Sequence, residues 1–363
     1  MQPDVTLDTR ATEEWLYQLW RAAGSNAEEA RITAEHLVGA NRAGHDSHGV
    51  SVVPGYVRSL AANELQLNRR ITIVTDAGSL LVVDGNRGMG QSIAAQTMQL
   101  AIERASAHGV AIVGLRNSHH IGRVGHWAEQ ATAQGLASVH FTNVVSRPLV
   151  APHGGSQARL GTNPLTVGLP RRAGAPILLD FATSAIAVGK VRVAYYRKVP
   201  APANVLLDAS GAATTDPAVM YEQPLGALLA AAGHKGYALG FVCDLLGAAL
   251  FGGATAHPDN LRPGGMYNNM IAIVFDPARF GALDHYEREA DAFIDYVRSA
   301  RRAQPGQEIL MPGEAEENYR AARARALPLD AGTVALLDEA VATINRLRGT
   351  NVSAASSLRV DAR

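Results

Sequence analysis

The side chains best suited to chemistry stand in the run His45-Asp46-Ser47-His48-Gly49, at the end of a stretch with helical periodicity. A histidine flanked by a hydroxyl and a carboxylate can have its tautomer fixed and its pKa moved, which suits proton transfer near neutral pH. The plainer reading is a polar loop that only satisfies the last carbonyls of that helix. A second group, Asn117-Ser118-His119-His120, reads as a loop after the buried-strand pattern VAIVGLR over 110–116. Loops at the ends of buried strands are where α/β proteins place ligand contacts. Gly122 and Gly125 then permit close backbone approach at the start of a helix, whose N-terminal amides favour a phosphate, and Arg123 adds a fixed positive charge. A turn that needs glycine for its geometry alone is the alternative.

Further along, Gly161-Thr162-Asn163-Pro164 reads as a turn into a strand, with a hydroxyl and an amide available to a ligand. Asp180 closes the strand ILLDF, and Thr183 or Ser184 reads as the cap of the next helix or as a cofactor contact. His234-Lys235-Gly236 places charge inside an apolar helical stretch, explained by pairing with Asp244 or by a cofactor phosphate. Cys243, the only cysteine, lies among Phe241, Val242 and Leu245 and reads as core rather than nucleophile. The 12 histidines include His45 and His48, and further on His119, His120 and His126, but no HExxH or Cys/His ligand spacing supports a metal, and none is expected.

The elements that must position these groups follow from periodicity. Trp15, Leu16, Leu19, Trp20 and Ala23 recur on one helix face, Gly24 is a natural stop, and Ser25 with Glu28 reads as a capping box for a second helix through Val38. The segments 71–78 and 79–86 read as strands, 89–108 as a helix, 110–116 and 136–143 as strands, and 124–134 as a helix between them. Strands over 165–170 and 177–182, a helix over 185–196, a long apolar helix pattern or two shorter ones over 228–252, and a strand over 269–276 come next. Charged helices occupy 286–302, 314–326 and 331–347. Helices at both ends around a mixed α/β centre predict two units: a discontinuous helical domain from 1–70 plus 285–348 for substrate and dimerisation, and an α/β domain over 71–284. Residues 349–363 show no periodicity and are expected to be disordered.

Composition narrows the function classes. In 363 residues, 33 Lys+Arg balance 33 Asp+Glu, so the surplus of positive charge that a nucleic-acid binder needs is absent. One cysteine rules out a disulfide framework. The start MQPDVTLDTR shows no signal pattern, and the most apolar run, 237–251, contains Asp244 and is too short to cross a bilayer. The expectation is a cytoplasmic globular protein with no membrane partner. The dinucleotide fingerprint G-x-G-x-x-G is missing, because GNRGMGQ has the wrong spacing, and Gly189-Lys190 lacks the rest of a P-loop. Any nucleotide must be bound by another design.

In chain order, RAGHDSHGV, NSHHIGRVGHWAEQA, GTNPLTVGLP, LLDFATSAIAVGK and GHKGYALGFVCDLLGAALFGG resemble the malate/L-lactate dehydrogenase family that is unrelated to the Rossmann enzymes. VVPGYVRSL and ILMPGE resemble its bacterial hydroxycarboxylate dehydrogenase branch. The resemblance implies a homodimer with an α/β fold, a mixed-sheet non-Rossmann dinucleotide-binding domain, and NAD or NADP as cofactor. It implies interconversion of a 2-oxo acid and a 2-hydroxycarboxylate, with cyclic imine carboxylate reduction, which the family also contains, as the alternative. By that resemblance Ser47 and His48 form the acid–base apparatus, with His48 the proton donor and His120 the rival carrier. Cofactor contacts are implied at His48, Gly122, Arg123, Val124, Thr162, Leu178, Leu179, Asp180, Phe181, Ala182, His234, Lys235 and Asn268. The turn Gly313-Glu314-Ala315-Glu316 completes that set. Many relatives carry an arginine four residues after His48 to hold the substrate carboxylate. Val52 stands there instead, so Arg123, and less directly Lys190, are expected to take that role.

Overall fold

The computed structural model describes residues 4–360. Its terminal segments pair at once: strand β1 (Asp4–Asp8) lies antiparallel to β12 (Ala326–Asp330). Helices α1 (Thr9–Ala23), α2 (Ala27–Arg42), α3 (Val53–Ala61) and α10 (Ala331–Arg348) gather around that ribbon. Leu7, Leu16, Leu19, Trp20, Leu37, Tyr56, Leu327, Leu337 and Ile344 are fully buried in one apolar cluster. Each of the larger ones contributes about 2–3 kcal/mol of transfer free energy.

Local chemistry sets the helix ends. Asp8 caps α1 through Ala11 N–H at 2.7 Å, and Gly24 closes it in the left-handed conformation that glycine adopts without strain. The expected Ser25–Glu28 capping box is replaced. Asn26 caps α2 by accepting from Glu29 N–H at 2.9 Å, while Ser25 Oγ donates to the Glu29 carboxylate at 2.7 Å. The Ser-x-x-Glu pattern is offset by one residue because Asn26 is the better placed acceptor.

The middle of the chain forms a seven-stranded mixed sheet. Its strands are β2 (Thr72–Ala77), β3 (Leu80–Asp84), β4 (Val110–His119), β5 (Ala137–Val145), β6 (Leu165–Leu169), β7 (Ile177–Phe181) and β11 (Tyr267–Phe275). The order is β2-β3-β4-β11-β5-β6-β7, and only the β3–β4 pair is parallel. A Rossmann sheet is parallel throughout its core, which explains why its glycine fingerprint is absent here. Helix α4 (Gly90–His108) and helix α5 (Gly125–Thr132) cover the sheet, burying Val83, Ile93, Met98, Val113, Leu115, Trp127 and Met270 in a second apolar cluster. Strands β8 (Leu206–Leu207), β9 (Ala213–Thr214) and β10 (Ala227–Leu228) make a small separate sheet. Beside it lies α6 (Val188–Arg197), whose N-terminal flank Ile186 and Val188 packs on the same apolar cluster as Leu206 and Leu228.

Four expectations need correction. The long apolar helix pattern over 228–252 shortens to α7 (His234–Leu246), because Gly233 starts it and Gly247 ends it. Neither Thr183 nor Ser184 caps α6: Thr183 Oγ1 donates to the Thr162 carbonyl and Ser184 Oγ to the Ile186 carbonyl. Helix α8 (Leu283–Arg298) docks on the β6–β7 hairpin through Arg171–Asp291 at 2.8 Å and Arg172–Asp284 at 3.0 Å, not on the helical core. The tail expected to be disordered packs down: Trp15 Nε1 donates to the Ser353 carbonyl at 2.8 Å, and Ala355 is fully buried. Residues 361–363 of that tail lie outside the described residues. Among the described residues no helix is long and apolar enough to cross a membrane.

Candidate active site

The His45–Gly49 run forms a single turn of 3-10 helix, Asp46–His48, where α2 ends. Three anchors hold it. Asn41 Nδ2 donates to Asp46 Oδ1 at 2.7 Å, and Asn41 Oδ1 accepts from Val50 N–H at 2.8 Å. Arg323, just past helix α9 (Glu314–Ala322), reaches the Asn41 carbonyl at 2.6 Å and Asp46 Oδ1 at 2.8 Å. His45 Nε2 meets Glu316 Oε1 at 3.2 Å, and the hydrogen bond from His45 holds the Glu316 carboxyl below its ordinary range. Asp46 and His45 are therefore braces, and the turn presents Ser47 and His48.

Ser47 Oγ lies 3.0 Å from His48 Nδ1. Gly189, in the first turn of α6, sits so close that a Cβ there would come within 2.4 Å of the Ser47 Cβ. Lys190 follows on that helix, exposed. Burial and the neighbouring His45 push the His48 pKa down to about 4, with the Asp180 charge acting weakly in the opposite direction. His48 is thus a neutral imidazole at pH 7, able to accept a proton.

Strand β4 runs further than the sequence implies, through Asn117, Ser118 and His119, so the loop begins only at His120. Asn117 takes φ +55° where the ladder bulges, and its N–H is caught by Asn269 Oδ1 at 2.8 Å. His119 points inward, is fully buried, and is pushed down to about 3 by burial alone. His120 instead stacks on His48, with centroids 5.6 Å apart and planes at 20°. Its Nδ1 lies 2.6 Å from the Tyr56 hydroxyl, which Gln91 Nε2 also reaches at 2.8 Å.

The loop after His120 is built on glycine. Gly122 has φ +77°, and a Cβ there would lie 2.0 Å from His36 Nε2, the atom that accepts the Arg123 N–H at 2.9 Å. Asp180 Oδ2 accepts from Gly125 N–H at 2.9 Å and so caps α5 from another strand, with Thr166 donating to its other oxygen at 2.8 Å. Asn268 is buried and structural: its Oδ1 accepts from Ile121 N–H at 2.9 Å, bracing the loop from β11. Arg123 is not the free cation the sequence suggests. It is 3% exposed, and its Nη2 binds Glu129 Oε2 at 2.5 Å. Its Nη1 has no hydrogen-bond partner and lies 3.9 Å from Asp180 Oδ2. Burial alone would raise the Glu129 carboxyl, but the guanidiniums of Arg123 and Arg320 outweigh it and hold the group ionised.

The other expected cofactor positions fall on two sides of this loop. Leu178 N–H donates to the Pro312 carbonyl at 3.0 Å, which brings Leu178, Leu179, Asp180 and Phe181 of β7 to the Gly313-Glu314-Ala315-Glu316 turn at the start of α9. Ala182 follows β7, and Thr162 receives the Thr183 N–H at 2.9 Å. His234 and Lys235 are exposed at the start of α7, with His153 5.8 Å from His234. Lys235 does not pair with Asp244. That carboxylate is buried and already accepts from Asn143 at 3.0 Å, Asn163 at 2.7 Å and Ala256 N–H at 3.2 Å. Val52, where the resemblance leads one to expect an arginine, packs against the helical core. Cys243 is buried, with its thiol pushed up to about 12 by burial, and is inert.

Tyr56, Gln91, His36 and Glu129 are the residues that reading the sequence missed. Each acts across more than five residues or between elements, and no spacing in the chain announces it.

A model of the malate/L-lactate dehydrogenases matches residues 7–338. The chain belongs to that family. Hydroxycarboxylate dehydrogenase B of Escherichia coli strain K12 is 46% identical over 336 residues, 92% of each chain. The Δ1-pyrroline-2-carboxylate/Δ1-piperideine-2-carboxylate reductase of Pseudomonas syringae pv. tomato is 34% identical over 86% of this chain and 89% of its own. A solved E. coli structure of malate/lactate dehydrogenase type superposes with a TM-score of 0.91 at 44% identity, covering 97% of this chain and 98% of that one. The mixed, mostly antiparallel sheet is thus the family's fold.

Proposed function

We propose that this protein interconverts a 2-oxo acid and a 2-hydroxycarboxylate with NAD or NADP, and that His48 carries the proton. The observation that carries the reading is the Ser47–His48–His120 group standing beside a glycine-built loop at a helix start. That loop suits a dinucleotide. Gly122 and Gly125 bring the loop backbone hard against His36, Arg123 and Asp180, where any Cβ would collide, and the buried Arg123 Nη1 beside them is an orphaned donor. The residues that would hold it are Gly122, Arg123 and Val124, Leu178–Ala182 with Thr162, His234 and Lys235, and the Gly313–Glu316 turn. Asn268 serves it indirectly by fixing Ile121. When bound, the nicotinamide supplies a hydride to the 2-carbon of the oxo acid.

The chain's own residues do the rest. Ser47 occupies His48 Nδ1, which leaves Nε2 as the atom that passes a proton to the forming alkoxide, or removes it in the reverse direction. Arg123 Nη1 and Lys190 are the proposed holders of the substrate carboxylate, now that Val52 is turned into the helical core. A second copy of the chain is the proposed partner, since α7 leaves Phe241, Val242 and Leu245 exposed, each above 40%. The cytoplasm is the proposed compartment.

The test follows NADH and NADPH oxidation by absorbance with a panel of 2-oxo acids and cyclic imine carboxylates. Turnover of one group of oxo acids supports the reading and names the side-chain preference and cofactor. Turnover of imines alone moves the protein to the reductase reading, which the Pseudomonas relative supports. No turnover on either overturns both.

A further inference from the structure

Tyr56 and Gln91 meet at His120, the ring that stacks on His48. The consequence for catalysis rests on the dehydrogenase reading above, but the geometry does not. Tyr56 is fully buried on α3, with its hydroxyl 2.6 Å from His120 Nδ1 and 3.2 Å from the His120 carbonyl. Gln91, also fully buried in the first turn of α4, brings Nε2 to 2.8 Å from the same hydroxyl. An amide nitrogen can only donate, so Gln91 fills a lone pair on the phenol oxygen. The single phenol proton must then go to an acceptor, and Nδ1 is the nearer of the two. Burial raises the pKa of Tyr56, so that proton stays on the phenol.

An imidazole that accepts at Nδ1 bears its own proton on Nε2. We propose that Gln91 and Tyr56 are positioning residues that lock His120 as the Nε2–H tautomer, making it a fixed hydrogen-bond donor to the substrate's 2-oxygen and not the proton carrier. A neutral imidazole is far too weak an acid to give up that last proton at neutral pH. Gaining one at Nδ1 would require the Tyr56 proton to leave that nitrogen at 2.6 Å for the more distant His120 carbonyl at 3.2 Å. His48 faces no such constraint, because Ser47 Oγ both donates and accepts and so tolerates either charge state. The stack thus divides the labour. His48 moves the proton, and His120 steadies the oxygen that receives it.

Two readouts test this, one of them independent of any substrate. A long-range proton–nitrogen correlation spectrum of 15N-histidine-labelled protein, recorded without ligands, should show His120 protonated on Nε2. Tyr56→Phe should release it to a mixture of tautomers, with Gln91→Met as the second variant if Tyr56→Phe melts early. Protonation on Nδ1 in the unsubstituted protein, or an unchanged tautomer in both variants, would overturn the lock. In turnover, an amide can donate but cannot carry a proton. His120→Gln should therefore keep activity within about tenfold, while His120→Ala loses the roughly 10²- to 10³-fold expected for one oxyanion donor. Equal losses in the two variants would overturn the division of labour. Absence of turnover in the unsubstituted protein would instead count against the dehydrogenase reading, leaving the spectrum to decide the lock.

Discussion

The rings of His48 and His120 stack with centroids 5.6 Å apart and planes 20° from parallel, at the meeting point of the helical cluster and the end of β4. Two imidazoliums at that distance repel, so the pair holds at most one proton in excess of neutrality, and burial drives both pKa values down. A site in which only one of two stacked rings can take up a proton is suited to a single proton transfer per turnover. Replacing His48 by Ala should lower turnover by the roughly 10²- to 10⁴-fold expected of a general acid–base residue. Cofactor affinity, measured by quenching of tryptophan fluorescence with NADH, should stay within about threefold. Turnover within threefold of the unsubstituted enzyme would remove His48 from the mechanism.

The depressed His48 sets an asymmetric pH dependence. With its pKa near 4 in the free protein, the neutral form dominates from pH 5 upward. Oxidation of a hydroxy acid needs that form, so its kcat/KM should rise through about pH 4 and stay flat to pH 8. Reduction needs the protonated form, so its kcat/KM should fall about tenfold per unit as the pH rises above that ionisation. Measuring both directions across pH 4.5–8 checks the assignment. A reductive profile flat to pH 7 would show that another group delivers the proton.

The same burial makes the fold acid-sensitive. His36, His48, His119, His120, His126 and His140 all have pKa values pushed below 6.5, chiefly by burial. Each binds a proton more readily in the unfolded chain than in the folded one. Their contribution to stability is therefore complete above about pH 6.5 and drains away as the pH falls toward 4 and lower. All six pull in the same direction, so stability should fall steeply as the pH drops below 6.5. The urea midpoint should drop steeply from pH 6.5 to 5 and barely change from 7 to 8. An equal midpoint at pH 5 and 7 would contradict these burial shifts.

Much of this arrangement was legible in the chain, and the reasons it stopped being legible are physical. Alternation and helical spacing report which face of a segment is buried, so α4, β3, β7 and β11 emerged within a few residues of their observed bounds, and α1 at its C-terminal end. Strands β1 and β12 did not, because five-residue strands that end in Asp8 and Asp330 look like helix caps, which those aspartates also are. The order of the sheet was hidden as well: β11, from the far end of the domain, inserts between β4 and β5. At the site, Ser47, His48 and Gly122 stood out through residue type and local spacing, while His120 was told apart from His119 only by the family resemblance. Arg123 misled, since a charge on a glycine loop reads as free until Glu129, six residues on, is seen to take it. Tyr56 was invisible because its hydroxyl acts 64 residues away.

The pairing that misled the reading is itself testable. Glu129 joins Arg123 to Arg320 and so ties the Gly122–Gly125 loop to α9, which braces the His48 turn through Glu316 and the following Arg323. Glu129→Gln keeps the shape but leaves the buried Arg123 guanidinium with only the more distant Asp180 carboxylate, 3.9 Å away. Because Glu129 is only partly buried, the cost should fall below that of a wholly buried pair, on the order of 2 kcal/mol. Arg123 would then be free to turn toward an anionic ligand. Affinity for the substrate carboxylate should hold or rise while thermal stability falls. A loss of both, read as a higher KM together with a lower melting temperature, would show that Glu129 orients Arg123 for the substrate.

Gly122 gives the sharpest steric test, because Gly135 supplies its control. Both take positive φ, +77° and +73°, so alanine is strained at either by about 1 kcal/mol. At Gly135 nothing lies within 4 Å of the new methyl. At Gly122 it would meet His36 Nε2 at 2.0 Å, breaking the hydrogen bond that holds the Arg123 N–H and displacing the loop. Gly135→Ala should therefore lower the melting temperature slightly and leave the KM for NADH alone. Gly122→Ala should cost several times more stability and raise that KM about tenfold or more, since a displaced loop forfeits the 1.4 kcal/mol that each factor of ten represents. If the two substitutions behave alike, the loop does not cradle the cofactor, and the dinucleotide must be held from the α7 and α9 sides alone.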